Sequence, residues 1–361
     1  MITSDRRFFI DRSAWCKIVK SDNRMNNVFK TIALVVAVSV MSFHPTAAQA
    51  RTIKIATISP EGTFWMKQMR AGAKEIKERT QDRVKFKFYP GGVMGNDDNV
   101  LRKIRIGQLH GGAVTLGTLS QSVPDTTLYG LPFLFSSIED AAEIRKKTDP
   151  MLLKEIEDNG FVSFGIAQGG FTYLMSKQPV NSLDDLKQQK SWVPEKSDVG
   201  LSVYSYIGVT PISLPLSDVL TGLQTGLINT IITSPIGALA LQWHTHVEYV
   251  VDLPLNYLSA MMIVDKKVFD KLSESDQAIV REVMGKVYEK IGEQNRVDNI
   301  AAREALINQG VKFVKLSDKE KEEWDELGVA VHKDMIKKYK YSEDLYKAVT
   351  VKKPDAPSLP R

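Results

Sequence analysis

The chain has 361 residues, of which 43% are hydrophobic and 25% charged, an ordinary globular composition that excludes a fibrous or intrinsically disordered chain. Seven of its 48 basic and three of its 43 acidic residues lie in the first fifty positions, so the remainder carries 41 against 40. That near-balance excludes the basic face of a nucleic-acid binder. The single cysteine, Cys16, lies in the same leading stretch, so residues 51–361 offer no disulfide, thiol nucleophile or cysteine metal ligand.

Residues 1–24 read as an extension upstream of a true start at Met25. Lys30 then precedes an apolar run over 31–43, too short to span a bilayer, and "AQA" closes it at 48–50. Residues 25–50 are thus a signal peptide cut after Ala50, which sends the protein to the periplasm. The remaining length suits two domains or one domain split into lobes. "TIKIATI" (52–58) alternates β-branched residues and predicts a strand. Ser59 is a candidate N-cap with Pro60 at the first helical position. Trp65, Met69, Ala73 and Ile76 share one face of a helix over 63–79. A strand over 83–90 ends at Pro90, a helix over 97–106 stops at Gly107, and "GGAVTLG" returns as a strand. This alternation implies a parallel sheet flanked by helices.

The pattern recurs from "VSFGIA" (162–167), through a capped helix at "SLDDLK" and a strand at "KSWVP", to a helix near 198–207. "LSDVLTGLQTGLINTIITS" echoes "NVLRKIRIGQLHGGAVTLG", as two similar α/β lobes would. Near the C-terminus Leu272, Ile279, Val283, Val287 and Ile291 share a face of one long helix, with Gly285 and Gly292 as points of bending. A further helix follows Ser317, and 346–361 read as a frayed tail. No nucleophile elbow, phosphate loop or His-Glu-x-x-His occurs, so the chain is not expected to be an enzyme or to carry a cofactor. The histidines of "WHTH" (243–246) lack companion ligands, and Asp97-Asp98 lack calcium-loop spacing and read as a helix start, so no metal is expected.

The blocks "FYPGGVMGNDDNVLRKIRIGQLHGG", "YGLPFLFSSIEDA", "PVNSLDDLK…VPE" and "GVTPISLPLSDVLTGLQTGLIN" follow one another in an order that resembles the periplasmic solute-binding proteins of TRAP transporters, the dicarboxylate-binding type. The likeness runs from about residue 52 to 335. It implies a two-lobed α/β periplasmic-binding-protein fold with a hinge and a long C-terminal helix spanning both lobes. Lobe I would comprise 51–172 plus 256–300 and lobe II 173–255, with the helices of 301–345 packing across both. It also implies a small-molecule ligand between the lobes. The partners it implies are TRAP membrane permease subunits or a periplasmic tetratricopeptide-repeat protein.

The chain departs from that family at its anchors. The family's ligand-clamping arginine in Lys-x-Arg-Val-Pro is Trp192 here, and a second arginine position falls in Phe171-Thr172-Tyr173. The family's acidic Val-Asp-Gly is Ile228-Asn229-Thr230. A carboxylate removed from water without a cation costs several kcal/mol. Trp192, Phe171, Tyr173 and Trp65 would instead suit an apolar or amphipathic ligand, and Thr172 and Asn229 could orient a polar end. Glu61 or Glu195 could face a cation, although Glu61 also fits a helix start and Glu195 a hinge role. Aromatics at such spacings are often core residues. The alternative readings are an organic-acid binder with a non-standard clamp and a sensor whose closed lobes dock on a receptor.

Overall fold

A computed structural model describes residues 50–353 and 356–359. The upstream extension and the signal peptide, apart from Ala50, lie outside the described residues.

The first half of the chain alternates β1 (Arg51–Thr57), α1 (Phe64–Arg79), β2 (Val84–Tyr89), α2 (Asp97–Arg105) and β3 (Gly111–Thr115). Short 3-10 turns over 116–119 and 124–130 lead to α3 (Ile138–Asp158) and the long strand β4 (Phe161–Phe171). After β5 (Tyr173–Ser176) come α4 (Leu183–Lys187), β6 (Trp192–Pro194), α5 (Asp198–Tyr206) and β7 (Ile212–Leu214). Next are α6 (Val219–Thr225), β8 (Thr230–Thr233), α7 (Pro235–Ala240), β9 (Tyr249–Val251) and β10 (Tyr257–Asp265). The chain ends with α8 (Lys266–Phe269), α9 (Glu274–Asn308), β11 (Lys312–Val314), α10 (Asp318–Lys338) and α11 (Glu343–Val349).

Two sheets organise these elements. The first has the order β2-β1-β3-β10-β4, with β1, β2 and β3 parallel and β10 antiparallel to both its neighbours. The second has the order β11-β9-β5-β8, and β6 pairs with β7 beside it. A single bridge from Ser191 to Thr230 links that pair to the larger sheet. Ile53 and Ile55 are fully buried on β1, as a strand covered by helices requires.

The first helix starts later than Ser59 and Pro60 suggested. Thr63 caps it, its hydroxyl accepting from Met66 N at 3.3 Å, while Ser59 Oγ bonds Thr63 Oγ1 at 3.0 Å. Gly62 intervenes at φ +86°, a left-handed turn that a helix cannot contain. The capped starts at Ser182 and Ser317 are both full capping boxes, with Asp185 and Glu320 completing them.

The chain leaves the first sheet at Thr172, between β4 and β5, and returns at Asn256, before β10. The third connection is α9, 35 residues long and unbroken through Gly285 and Gly292. Val280, Val283, Val287 and Ile291 bury its first half in the core behind the first sheet. Leu306, near its end, joins the core of the second sheet. Each such side chain contributes about 1.5–3 kcal/mol by leaving water. Asn295 and Asn299 tie the helix to the end of β4 through Gln168 O and Gly169 O, at 2.8 and 3.0 Å. Gly170 permits that approach: it sits at φ +87°, and a Cβ there would lie 2.6 Å from Asn299 Nδ2.

The stretch read as a frayed tail is held in place where it is described. Tyr346 donates its hydroxyl hydrogen to Pro357 O at 2.7 Å, and Lys352 pairs with Glu143 at 2.6 Å.

Candidate functional site

A cavity of about 840 Å³ opens between the two sheets. The first-sheet side supplies Ile58, Asn96–Asp98, Thr115–Thr118, Tyr129, Gly130, Pro132 and Phe133. The second-sheet side supplies Trp192–Leu201, Pro215, Leu216 and Ile232. Thr172 and Leu255–Ser259 form the hinge wall, and Trp324, Leu327 and Tyr339 come from α10 and its end.

Local chemistry fixes each wall. Phe133, in the "LPF" turn, has φ +55° and donates its backbone N–H to Leu255 O at 2.7 Å. His332 donates Nε2–H to Pro132 O at 2.8 Å, and burial lowers its pKa, which keeps the ring neutral. The turn is thereby clamped from α10. Asp97 opens α2, where the helix dipole favours a carboxylate. Its Oδ2 accepts from Thr115 N at 2.8 Å, Thr115 Oγ1 at 2.9 Å and Thr118 Oγ1 at 3.2 Å. Its Oδ1 is shut off from solvent and has no partner. Burial pushes this carboxyl upward, against the pull of the threonine hydrogen bonds.

Two contacts cross the mouth of the cavity. Glu195 Oε2 accepts from Asn96 Nδ2 at 2.7 Å, and Lys196 Nζ lies 3.4 Å from Asp98 Oδ2. Lys196 holds φ +57°, an uncommon conformation for a side chain of its size. Asp198 is paired with Lys338 and with the Tyr339 hydroxyl, which ties α5 to α10. Among the described residues no arginine or histidine lines the cavity, and its single cation, Lys196, is largely exposed and lies beside Asp98.

Of the residues singled out in the sequence, the cavity gathers Trp192, Thr172 and Glu195. Trp192 is 3% exposed and belongs equally to the core of the second sheet. Its ring meets Trp243 edge-on at 5.4 Å, and its N–H is spent on Leu214 O at 2.9 Å. The indole therefore offers the cavity apolar surface and no donor. Thr172 Oγ1 donates to Asn256 Oδ1 across the hinge. Phe171 and Tyr173 line a separate recess of about 90 Å³ with Arg296, Asn299 and Arg303.

The other three lie elsewhere. Trp65 packs edge-on against Tyr288, 5.5 Å away, beside the core behind the first sheet. Glu61 is exposed and holds Arg70 through two bonds of 2.8 and 2.6 Å. Asn229 Oδ1 accepts from Lys190 N at 2.8 Å and so fixes the loop before β6. The sequence reading took Asp97 only for a helix start and passed over Thr115, Phe133, Tyr257 and Trp324. For Asp97 the available signal was its place at a helix start five residues after the Pro90-Gly91-Gly92 turn. In "WHTH", His244 Nδ1 lies 3.1 Å from Ala238 O. Among the described residues no group of three acids, histidines or cysteines is placed to hold a metal.

Residues 55–339 match the profile described as DctP, bacterial extracellular solute-binding protein, family 7. The chain belongs to this family. Its members are TRAP-type solute-binding proteins, not enzymes, that bind small molecules and work with membrane permease components in the periplasm. Among the described residues no helix is long and apolar enough to cross a membrane. A TRAP periplasmic solute-binding protein from Sulfitobacter sp. NAS-14.1, solved with β-D-galacturonate, has a similar fold, with a TM-score of 0.77 and 21% identity over 83% of this chain and 100% of that one. The C4-dicarboxylate-binding periplasmic protein DctP of Rhodobacter capsulatus is 23% identical over 73% of this chain and 80% of its own length. The uncharacterized protein YiiZ of Salmonella typhimurium is 23% identical over 57% of this chain, which spans 64% of that relative. The two-lobed fold with its spanning helix is thus the family's, and the 35-residue α9 is that helix in this member.

Proposed function

We propose that this family 7 protein closes on an apolar or amphipathic small molecule and presents it to TRAP permease subunits or to a periplasmic tetratricopeptide-repeat partner. The observation that carries the reading is the absence of any arginine or unpaired cation from the wall of the 840 Å³ cavity. That volume lies in the usual range for small-molecule sites. A carboxylate brought in there would exchange water for a wall in which Glu195, bound only to a neutral amide, repels it, and that raises its cost further. The apolar body would lie along Trp192, Val193, Phe133 and Leu327, with Thr172 and Glu195 at its edges. Residues 51–172 plus 256–300 form the first lobe in this reading and 173–255 the second.

The second reading is an organic-acid binder with a different clamp. The galacturonate bound to the Sulfitobacter protein and the dicarboxylate named for the Rhodobacter protein favour it.

Native mass spectrometry of protein taken from its own periplasm separates the two, because the cargo travels with the closed protein. A copurifying apolar or amphipathic compound is expected. A copurifying uronate or dicarboxylate, or tight calorimetric binding of succinate, would overturn the proposal. The same preparation tests the export segment: its first residue is expected to be Arg51.

A further inference from the structure

We propose that the ring of Phe133, propped against Gly328 of α10, sets how bulky an apolar body the cavity accepts, with Gly328 as its positioning residue. The inference rests on the apolar or amphipathic reading above and adds the residue pair that decides the size of the cargo.

Phe133 is held where it stands. Its φ of +55° is a conformation that a residue with a bulky side chain keeps only where its surroundings enforce it. Two bonds do so here. Its N–H reaches Leu255 O at 2.7 Å, and the preceding carbonyl, of Pro132, accepts from His332 Nε2 at 2.8 Å. A glycine would take this turn without strain, so what offsets the strain is the packing of the ring. That ring meets α10 at Gly328. A Cβ built there would lie 2.6 Å from Phe133 Cδ2 and 3.2 Å from Cε2, and the three atoms nearest to it all belong to this ring. Gly328 is buried in the interior of a helix, where glycine is a weak former, and its missing side chain is what permits the close approach.

The same ring lines the cavity. Of the other aromatic side chains in that wall, Tyr129, Trp192, Tyr257, Trp324 and Tyr339 are buried, whereas Phe133 is half-buried and has ring surface to give a ligand. Trp192 is also locked in place by Trp243 and Leu214 O, so it cannot adjust to the size of what enters. With its backbone pinned and Gly328 against one edge, the Phe133 ring has the cavity as its free space. A methyl group at position 328 therefore drives the ring inward and narrows the site, and removal of the ring opens the site toward α10. The volume of about 840 Å³ lies toward the upper end of small-molecule sites, so a bulky body fills it and girth is what this wall can select.

The test titrates three neutral alcohols of rising bulk, cyclohexanol, 1-adamantanol and testosterone, calorimetrically into the wild-type protein, G328A, F133A and the double variant. The quantity read is the ratio of testosterone to cyclohexanol affinity. In the wild type testosterone is expected to bind tightest, because it buries the most apolar surface. G328A should lower the ratio by about fourfold, the worth of one buried methylene, and F133A should raise it by about the same factor. In the double variant the ratio should match F133A, since the methyl at 328 then has no ring to push. A ratio left unchanged by G328A, with all three alcohols weakened alike, would mark a merely structural role and overturn the assignment while the apolar reading stands. A ratio lowered equally with and without the Phe133 ring would do the same. Binding of none of the three to the wild type would overturn both. Should F133A fail to fold, Phe133→Gly, unstrained at positive φ, takes its place. Should G328A fail to fold, the rise expected in the Phe133 variant still decides.

Discussion

Trp192 stands where the family's clamp suggested a ligand contact, and its packing shows why one residue can serve two ends. Its flank reaches the cavity while its edge meets Trp243 and its N–H bonds Leu214 O. Trp192→Ala should therefore cost about 3–5 kcal/mol of stability, against about 1–2 kcal/mol for Trp192→Phe, as read from urea denaturation midpoints. Trp192→Arg should abolish binding of the natural cargo and also destabilise the lobe, since the guanidinium would enter an apolar core. This duality was only half legible in the sequence. Chain position marked the residue, but strand alternation cannot say which neighbour takes an indole's N–H. Trp65 misled for the converse reason: its helical face was read correctly as apolar, and that face turns toward Tyr288 behind the sheet. Asp97 was read as a helix start, which it is; its threonine partners lie 18 and 21 positions away and leave no local signature.

Among elements, the strand and helix order was legible because the two periodicities are distinct and the capping residues mark the boundaries. Ser317→Ala, which breaks the capping box of α10, should cost about 1 kcal/mol in thermal or chemical denaturation. Because α10 carries Trp324, Leu327 and the His332 clamp on Pro132, the same change should also weaken cargo binding. The bends expected at Gly285 and Gly292 do not break α9, because packing of its first half and of Ala302 and Leu306 near its end outweighs their weak helix propensity. The contacts across the cavity mouth were invisible in the sequence, since they join residues about a hundred positions apart. Glu195→Ala removes one of them. The unliganded variant should shift toward the open form, with a larger radius of gyration by small-angle scattering. The shift should be modest, because an exposed polar pair of this kind is worth about 1 kcal/mol or less.

For the molecule as a whole, the end of the chain brings a pH response. Asp125, 1% exposed, holds the start of α11 by accepting from Ser342 N at 3.0 Å. Glu155 of α3 lies beside it, and burial, then the charge of Asp125, pushes its carboxyl up to about 7. A carboxyl raised in the folded state keeps its proton there and loses it on unfolding. Its contribution is therefore complete at acid pH, below the ordinary glutamate value, and fades as pH rises toward 7. Glu155→Gln should flatten that slope. At pH 8 it should be the more stable form by about 1 kcal/mol, a figure held down by solvent screening at this half-buried site and checked by melting curves across pH.

The hinge has a mechanical corollary. The two strand crossings are bonded to each other: Thr172 N–H to Asn256 O and Leu255 N–H to Thr172 O, both at 2.9 Å. Two linkers stitched side by side resist sliding past one another, so the halves should turn about the line that joins them. The helix α9, bonded through Asn295 and Asn299 to the strand that runs into that junction, then has to follow each opening and shutting.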